Sequence, residues 1–548
     1  MNKRIYLIIL LLACRICSAQ TPNWQWAYCG GGNGHDMGRG IITDASGNIY
    51  ATGNFDPPSI TFGSITLAAT GARDAFVVKY DASGNVKWAK KFGGIYSESG
   101  LAITADYFGG IYITGTFNSP SIIFNNDTII NNGIGNVFIA KFDSSGNEIW
   151  ATSAGGTGSG AAYSIGVDVF GNTCITGKYN SPTITFGSTT LSNSGQFDVF
   201  IAKFDASGNP LWAKKAGGNG VEEAYSVCSD LVGNVYATGS FWSDSITIDN
   251  TTIGKGGWAN LYVAKFDASG NMLWLKSAGG VTGFESALSL AMTIDNSGNS
   301  YITGVISGTG ITFGTYSLSS NGAYNDVMVV KYDGNGNVLF AKKAGGGNTE
   351  WGEGISIDAG GNLYVTGRYE GGAAQFGTTT LPNNGYSDCH VTKFDASGNV
   401  MWAVGFGGLQ FEWCTGIANN ANGSIYITGQ FRSTSIALGG IILTNASIDT
   451  TADYFIAKLG STTGLFEENY STNSTTIYPN PFSNKLTIAA GNKELSEIIL
   501  YDIASRLLLR QKFLNSISLN TEQLTKGVYI YEVKNKNGLC TKGKIVKD

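Results

Sequence analysis

The sequence is poor in the residue types on which most catalytic and metal sites depend. It has 2 histidines among 548 residues, and its 8 cysteines are scattered without any C-x-x-C spacing. This pattern offers no zinc ligand set and no disulfide framework, so the cysteines that follow Cys17 are expected to fill small apolar positions singly. Charged residues make up only 14%, and a net charge of −5 leaves no basic stripe for phosphates. Nucleic acid is therefore not expected as a partner.

Long hydrophobic runs are absent beyond the N-terminus, and no transmembrane anchor is predicted. The apolar run 5–13 is too short to span a bilayer. Met1-Asn-Lys-Arg precedes it, and Cys-Ser-Ala-Gln follows at 17–20, which is the pattern of a signal peptide over residues 1–19 with cleavage after Ala19. Lipid attachment at Cys14 is the alternative, but Arg15 follows that cysteine and disfavours it.

The sequence is rich in glycine and contains two patterns that each recur seven times. The chain has 77 glycines and 12% aromatic residues, a balance typical of short strands joined by tight turns. The pattern G-N-x-Y-x-T-G occurs in seven related copies, which end at Gly53, Gly115, Gly177, Gly239, Gly304, Gly367 and Gly429. An aromatic residue in a W-A-K-K-like pattern recurs at Trp26, Trp88, Trp150, Trp212, Trp274, Phe340 and Trp402. A period of about 62 residues indicates a repeat architecture.

Each repeat reads as four strands joined by tight turns. In the third copy the strand-like runs are 163–168, 172–179, 198–205 and 210–216. The first pair is joined by a D-x-x-G-N segment that begins at Asp168, and the second pair by one that begins at Asp205. Aspartate can cap the turn amides, and glycine supplies the left-handed residue. An EF-hand loop would need glutamate at position 12, where Phe92 stands when the count starts at Asp81, so calcium is possible but unsupported and no cofactor is predicted.

The ends of the repeat array predict how it closes. Four antiparallel strands repeated radially form a propeller blade. The last copy lacks its tryptophan strand, and that strand stands instead at 24–30. We expect residues 24–30 to pair with the final copy and so remove an exposed sheet edge. The predicted fold is therefore all-β: a seven-bladed β-propeller over 20–459, closed by the N-terminal strand.

The repeat motifs S-G-N-x-Y-x-T-G and K-F-D-A-S-G-N-x-x-W-A resemble the SBBP (seven-bladed β-propeller) repeats of bacterial exported proteins. The resemblance covers roughly residues 23–459. It implies the propeller architecture and says nothing specific about a ligand.

A second domain follows the repeats. Residues 460–474 are polar and predict a linker. Residues 475–548 alternate apolar and polar positions, which predicts a small C-terminal β-sandwich. The Y-P-N-P-F start, the K-G-V-Y-x-Y-x-V strand and the G-K-I-V-K end resemble the type A sorting domain of the type IX secretion system of Bacteroidetes-like bacteria. The resemblance implies that this domain engages that secretion machinery and is then removed. The propeller would be left extracellular or on the outer cell surface.

The connections of the repeats sort onto two faces. Antiparallel strands reverse at each connection, so the D-x-x-G-N turns lie on one face, while the links between blades and the inserts, such as 56–73, lie on the other. We call the second face the link face; its inserts read as small hairpin arms. In six units an acid stands ten or eleven residues after the repeated aromatic residue, in the link that leads into the innermost strand. We expect these acids at the mouth of the central channel, where they could attract a cation or a cationic partner. They are Asp36, Glu98, Glu222, Glu285, Glu350 and Glu412. The alternative is a scaffold role, as turn acceptors or as partners of Lys-Lys pairs such as Lys90-Lys91.

Residues that do not repeat are the better candidates for binding. Trp351 and Trp413 each follow an acid on the link face, where they could stack on sugars; ordinary packing is the alternative. The propeller arginines Arg39, Arg73, Arg368 and Arg432 occupy different repeat positions, and neither His35 nor His390 completes a catalytic set. No catalytic or metal-binding residue is assigned.

The expected function is therefore a non-enzymatic binding or adhesion module for a glycan or a protein. A secreted polysaccharide-active enzyme on the propeller scaffold and a purely structural surface component are the alternatives.

Overall fold

The computed structural model describes residues 21–281, 283–321, 324–447, 451–460, 476–478, 482–489, 495–502, 506–535 and 538–547. The chain divides into two compact units, Met1–Thr463 and Gly464–Asp548. The predicted signal peptide lies outside the described residues, as does the predicted linker apart from Gly460. All regular structure in the described residues is β-strand, which confirms the all-β prediction. Among those residues the structure contains no helix long and apolar enough to cross a membrane.

The described residues of the first unit form seven antiparallel sheets that share one strand order, named here inner, second, third and outer. The inner strands are Asp36–Thr43, Glu98–Ala105, Gly160–Val167, Glu222–Ser229, Ser286–Ile294, the interrupted pair Thr349–Glu350 and Gly354–Ile357, and Glu412–Asn419. The second strands are Ile49–Phe55, Ile111–Phe117, Thr173–Tyr179, Val235–Phe241, Ser300–Ser307, Leu363–Glu370 and Ile425–Phe431.

The third strands are Asp74–Tyr80, Asn136–Phe142, Asp198–Phe204, Asn260–Phe266, Asp326–Tyr332, Ser387–Phe394 and Asp453–Leu459. The outer strands of the first six sheets are Val86–Phe92, Glu148–Ala154, Pro210–Gly217, Met272–Ala278, Val338–Ala344 and Val400–Phe406. Second and third strands are buried on both faces because another sheet packs against each side, which explains their continuous runs of Val, Ile, Tyr and Phe.

The outer strand of the seventh sheet comes from the other end of the unit. Trp24–Gly30 pairs antiparallel with Asp453–Leu459, in a register that sets Ala27 opposite Ala457. Beyond the strand, the Gly460 amide donates to the Asn23 carbonyl at 2.9 Å. The backbone groups along this edge of the seventh sheet are therefore paired rather than exposed.

Neighbouring sheets share apolar cores. Each of seven buried clusters takes its side chains mainly from two consecutive sheets, and one of them joins the first sheet to the seventh. In that cluster the Phe62 ring lies 5.0 Å from Phe76 of the first sheet and 5.5 Å from Tyr454 of the seventh, centroid to centroid. Four-stranded sheets that pack in this way around a central cavity form a β-propeller-like unit.

The inserts are hairpins, as expected, but they do not project as free arms. Their strands are Ser59–Phe62 with Ile65–Ala68, Ser121–Phe124 with Asp127–Ile130, Thr183–Phe186 with Thr189–Ser192, Ser245–Ile248 with Thr251–Gly254, Ile311–Phe313 with Tyr316–Leu318, Ala374–Phe376 with Thr379–Leu381, and Ser435–Leu438 with Ile441–Thr444. The first strand of each hairpin buries two apolar side chains, such as Ile60 and Phe62. Five hairpins also pair with the outer edge of the preceding sheet, for example Gly31 with Thr61. They therefore fill and brace the boundaries between sheets.

The D-x-x-G-N turns have the predicted chemistry. Asp205 accepts hydrogen bonds on Oδ1 from the amides of Ser207 and Asn209, both at 2.9 Å, and on Oδ2 from the Asn209 side chain. Gly208 has φ of 83°, a left-handed conformation that favours glycine. The Trp150 indole of the preceding sheet packs on this glycine and donates to the Ala206 carbonyl at 3.0 Å. The repeated tryptophans therefore fill the space between sheets.

The second unit contains two sheets that share one core. The first joins Thr476–Tyr478, Lys485–Ala489 and Ser516–Asn520, and the second joins Leu507–Leu514, Leu495–Asp502, Gly527–Asn535 and Gly538–Lys547. Leu486 and Ile488 of the first sheet are buried with Ile498 and Leu500 of the second.

Candidate functional site

The pairing between the inner and second strands is irregular at one point in each sheet. In six sheets the register shifts across it as a β-bulge, and in the sixth sheet the inner strand is interrupted there. A bulge re-aims the extra side chain, and bulges are frequent beside functional sites. The seven bulge residues are Arg39, Leu101, Tyr163, Tyr225, Leu290, Glu353 and Thr415.

All seven bulge residues line one cavity of about 670 Å³, which we call the central cavity. Its walls come from the inner strands of all seven sheets and are mostly apolar, with Ile103, Ile165 and Met292 among them. This size and lining match sites that bind small molecules, in which a few polar groups orient the ligand within apolar walls. The charged residues that line this cavity, Arg39, Glu353 and Arg368, come from the first and sixth sheets.

A stacked cation forms part of the cavity wall. The Arg368 guanidinium lies 4.5 Å from the Trp351 ring and 4.4 Å from the Trp413 ring, and it forms an ion pair with Glu353. A second ion pair joins Arg368 to Glu370 at 2.8 Å. Burial raises the pKa of Glu353, whereas Arg368 acts in the opposite direction. This arrangement holds two indoles and one guanidinium in fixed positions.

The sequence-predicted Trp351 and Trp413 are therefore brought together, although 62 residues separate them. Trp413 is 39% exposed, so part of its ring remains open to a ligand. Trp351 is held through its backbone, because the buried His390 ring contacts the Trp351 carbonyl at 2.9 Å. Burial lowers the pKa of His390 to about 4, so the ring is neutral and Nε2 is the donor in this bond.

A second concavity lies next to the stack, on the link face. This side pocket has a volume of about 310 Å³ and is lined by Arg368, Glu370, Ser387, Phe411, Glu412, Trp413, Gln430 and Arg432. Trp413 and Arg368 line both the side pocket and the central cavity. At the edge of the side pocket the exposed Tyr386 and Phe411 rings stack at 5.1 Å with an interplanar angle of 10°. The pocket thus combines flat aromatic surface with hydrogen-bonding side chains.

A further polar cluster lies at the third and fourth sheets. Lys178 forms an ion pair with Glu223 at 2.5 Å, and Glu223 also accepts a hydrogen bond from the Tyr225 hydroxyl. The Lys178 ammonium lies over the Tyr163 ring at 5.6 Å. The two bulge tyrosines are thereby held by a satisfied charge pair.

The six acids predicted at the channel mouth are enclosed by protein rather than exposed as a ring. Asp36, Glu98, Glu222, Glu285, Glu350 and Glu412 are all buried, at 0 to 8% exposure. Glu98 accepts from the Gly94 amide at 2.7 Å and the Ser119 amide at 3.0 Å. Glu222 and Glu412 make the same kind of contacts with a link amide and with a serine after the second strand. Glu285 accepts from the Val281 amide at 2.8 Å.

These contacts correct the prediction of an acidic, cation-attracting ring. Burial raises the pKa of Asp36 to about 9, with Asp453 next to it, and that of Glu350 to about 8. Both are therefore mostly protonated at neutral pH and contribute little negative charge. The scaffold alternative is right for the acids that accept link amides. The proposed pairing of these acids with the Lys-Lys pairs is not seen, because Lys91, Lys215 and Lys343 form ion pairs with third-strand aspartates instead.

Sequence reasoning missed Arg39, Glu353 and Arg368 as site residues. The propeller arginines do occupy different repeat positions, but different positions on neighbouring strands face the same cavity. Arg39 and Arg368 both line the central cavity, and Arg368 and Arg432 both line the side pocket. The signal that could have identified Arg39 and Glu353 is that the amino acid at the bulge position differs from repeat to repeat. Arg368 could have been identified only with the strand register as well.

Comparisons with known proteins bear on both units. Residues 476–548 match the family described as the secretion system C-terminal sorting domain. This domain marks proteins that type IX secretion exports to the cell surface or the extracellular space, which confirms the predicted localisation and the sorting domain.

The repeats have more distant relatives. An uncharacterized WD repeat-containing protein of Acanthamoeba polyphaga mimivirus is 25% identical over 509 residues, which is 75% of this chain and 36% of the relative. The regulatory protein FlaEY of Caulobacter vibrioides is 30% identical over 112 residues, which is 20% of this chain and 12% of that protein. The chain therefore spans well under half the length of both relatives.

Among solved structures, the chain is similar to the Pan2 WD40 domain of Neurospora crassa and to Sqt1 from Chaetomium thermophilum. The first shares 9% identity at a TM-score of 0.37 and covers 77% of this chain and 89% of that one. The second shares 7% identity at a TM-score of 0.37 and covers 86% of this chain and 97% of that one.

Proposed function

We propose that this protein is a non-enzymatic binding module which acts at the cell surface or outside the cell, and that it recognises a glycan or a protein through the side pocket. In this proposal the repeats form a closed seven-bladed propeller of the SBBP kind. The signal peptide and the C-terminal β-sandwich serve only export, through the type IX secretion machinery of a Bacteroidetes-like bacterium.

One observation carries the proposal: the partly exposed Trp413 ring, fixed against Arg368, forms a wall of the side pocket. A rigid aromatic surface loses little conformational entropy when it binds a ligand, because the stack on Arg368 already fixes the position of the ring. Gln430 and Arg432 lie beside the ring and can donate hydrogen bonds to hydroxyl or carbonyl oxygens of a ligand. Aromatic surface with flanking planar donors suits the apolar face and the hydroxyl edge of a sugar ring.

The geometry gives less support to catalysis on this face. Glu353 and Glu370 are both engaged by Arg368, and the buried acids at the links hold backbone amides. Glycoside hydrolysis needs one carboxylic acid and one carboxylate on either side of the scissile bond. Their engagement by Arg368 argues against a free pair here.

A glycan array probed with the full chain tests the proposal. We expect saturable binding to a restricted set of glycans, and Trp413→Ala should weaken it by at least about 30-fold, the loss typical of a central aromatic contact. Gln430→Ala should also weaken it, because its amide lies in the same pocket.

Trp258→Ala is the matched control, since this tryptophan is 62% exposed and does not line the pocket. Unchanged glycan binding by Trp413→Ala would reject the side pocket. Release of fragments from a labelled polysaccharide would replace the binding role with catalysis.

A further inference from the structure

The central cavity contains a cation, Arg39, that forms no ion pair within the part of the chain that the structure describes. Arg39 reaches the cavity from the bulge of the first sheet, and its Nε is buried without any hydrogen-bond acceptor. One terminal nitrogen contacts the Met37 sulfur at 3.4 Å, which is a weak acceptor. Among the described residues, no carboxylate lies within 4.0 Å of this guanidinium.

The other charges that line the cavity are already paired. The charge of Glu353 favours the protonated form of Arg39 and so raises its pKa, but the Glu353 carboxylate forms its ion pair with Arg368. The remaining bulge residues are neutral, and the Thr415 hydroxyl is used in a hydrogen bond to the Gly38 carbonyl at 2.8 Å. Of the two charged bulge residues, Glu353 is in an ion pair, whereas Arg39 forms none with any described residue.

The Arg39 side chain is partly buried, and its Nε is fully buried without an acceptor, which is costly because the protein does not replace the hydration that this group has lost. Burial, and to a lesser extent the charge of Arg73, lowers the pKa of Arg39, because both disfavour the positively charged form. An anion bound in the cavity would offset the cost, and a carboxylate matches the forked donors of a guanidinium. The cavity is therefore preorganised for one negative charge.

The rest of the lining specifies the body of the ligand. Leu101 and Leu290 flank the cavity at the bulge level, and Ile103, Ile165 and Met292 lie among its deeper walls. Tyr163 and Tyr225 add aromatic rings. A cavity of about 670 Å³ accommodates a small organic molecule, and walls of this kind favour an aliphatic or aromatic body over a polyhydroxylated one.

We propose that the central cavity is a second binding site, which takes a small carboxylic acid with an apolar body and anchors its carboxylate on Arg39. The central cavity adjoins the side pocket of the proposed function and shares Trp413 and Arg368 with it, but the residue that anchors the ligand is different. Arg39 lines only the central cavity, whereas Arg432 and Gln430 line only the side pocket.

Isothermal titration calorimetry of the full chain tests the site with two pairs of probes: octanoate with octanamide, and 4-phenylbutyrate with 4-phenylbutyramide. We expect one acid of the panel to bind with a stoichiometry of one, at least about 30-fold more tightly than its amide, because a charge-assisted hydrogen bond to a buried group is lost in the amide. Arg39→Gln should weaken the acid by a similar factor. Arg432→Gln should leave it unchanged.

Thermal unfolding gives a second readout that does not depend on activity. The acid should raise the melting temperature of the wild-type chain and not that of Arg39→Gln, since only the former gains an anion partner. Without ligand, Arg39→Gln should be at least as stable as wild type, because the variant lacks a partly buried charge that forms no ion pair with a described residue.

Three results would overturn the proposal. They are equal affinity for acid and amide, undiminished binding by Arg39→Gln, and failure of every acid in the panel to bind at millimolar concentration. Loss of acid binding in Arg432→Gln with no loss in Arg39→Gln would place the molecule in the side pocket. If one of these three results is obtained while the chain still binds glycan through Trp413, the proposed function stands and only the carboxylate site fails.

Discussion

The contribution of the N-terminal strand can be measured by removing its two tryptophan side chains. Trp24 packs edge-on against Phe406 at 5.2 Å between ring centroids, and Trp26 packs against Tyr426 at 6.0 Å and against the turn at Gly84. Truncation of a fully buried tryptophan costs about 3 to 5 kcal/mol, and these two are about half-buried, so we expect about 2 kcal/mol for each.

The double variant Trp24→Ala/Trp26→Ala should therefore lower the free energy of unfolding by about 4 kcal/mol, a large part of the 5 to 15 kcal/mol typical of a domain. Urea unfolding of the full chain, followed by circular dichroism, measures this change. Trp258→Ala is the control and should stay within about 0.5 kcal/mol of wild type, because its ring is exposed.

A complementary experiment removes residues 21–30. The shortened chain should melt at a sharply lower temperature, and a synthetic peptide with that sequence should restore stability as its concentration rises. A double variant that unfolds like wild type, or a deletion without effect, would refute the reasoning that these residues complete the seventh sheet.

Two further predictions concern stability. In the folded chain the pKa values of Asp36 and Glu350 are raised to about 9 and about 8. The stability that their protonated forms contribute is therefore fully present below about pH 4 and is lost as the pH rises through these values. The melting temperature should be lower at pH 9 than at pH 6, and this difference should be smaller in Asp36→Asn. Equal pH dependence in Asp36→Asn would contradict this. Gly208→Ala places a Cβ 2.9 Å from the Trp150 ring at a φ of 83°, so it should cost at least about 1 to 2 kcal/mol in urea unfolding, whereas Gly440→Ala, with open space around it, should cost less than half of that. Equal costs would show that the turn relaxes freely.

The strands could be predicted from the sequence because each is bounded by turn chemistry that recurs in nearly every repeat. Asp205 and Gly208 mark a turn whatever surrounds them, and the structure ends the neighbouring strands within two residues of the predicted limits. The pairing of Trp24–Gly30 with the last third strand followed from the absence of one strand at the C-terminal end of the array. Local signals of this kind do not depend on the rest of the fold.

The site could be predicted only in part. Trp351 and Trp413 were chosen because they do not repeat, but the cation between them, Arg368, lies on a second strand and reaches them through pairing register. The burial of the acids at the links could not be predicted, because strand parity indicates the face on which a residue lies and not whether its side chain is exposed. Glu98 is on the expected face and still turns inward to hold the Gly94 amide.

The bulges have a consequence for how such a protein can diversify. In six sheets the pairing of the inner strand continues on both sides of the bulge, for instance at Gly38 and Gly40, so the residue between them has no directly opposite partner on the second strand. Seven codons, one per repeat, could therefore be rewritten separately while the turns, the tryptophans and the hairpin braces stay constant. Paralogous chains with the same framework but a different set of seven cavity residues would then bind chemically distinct molecules.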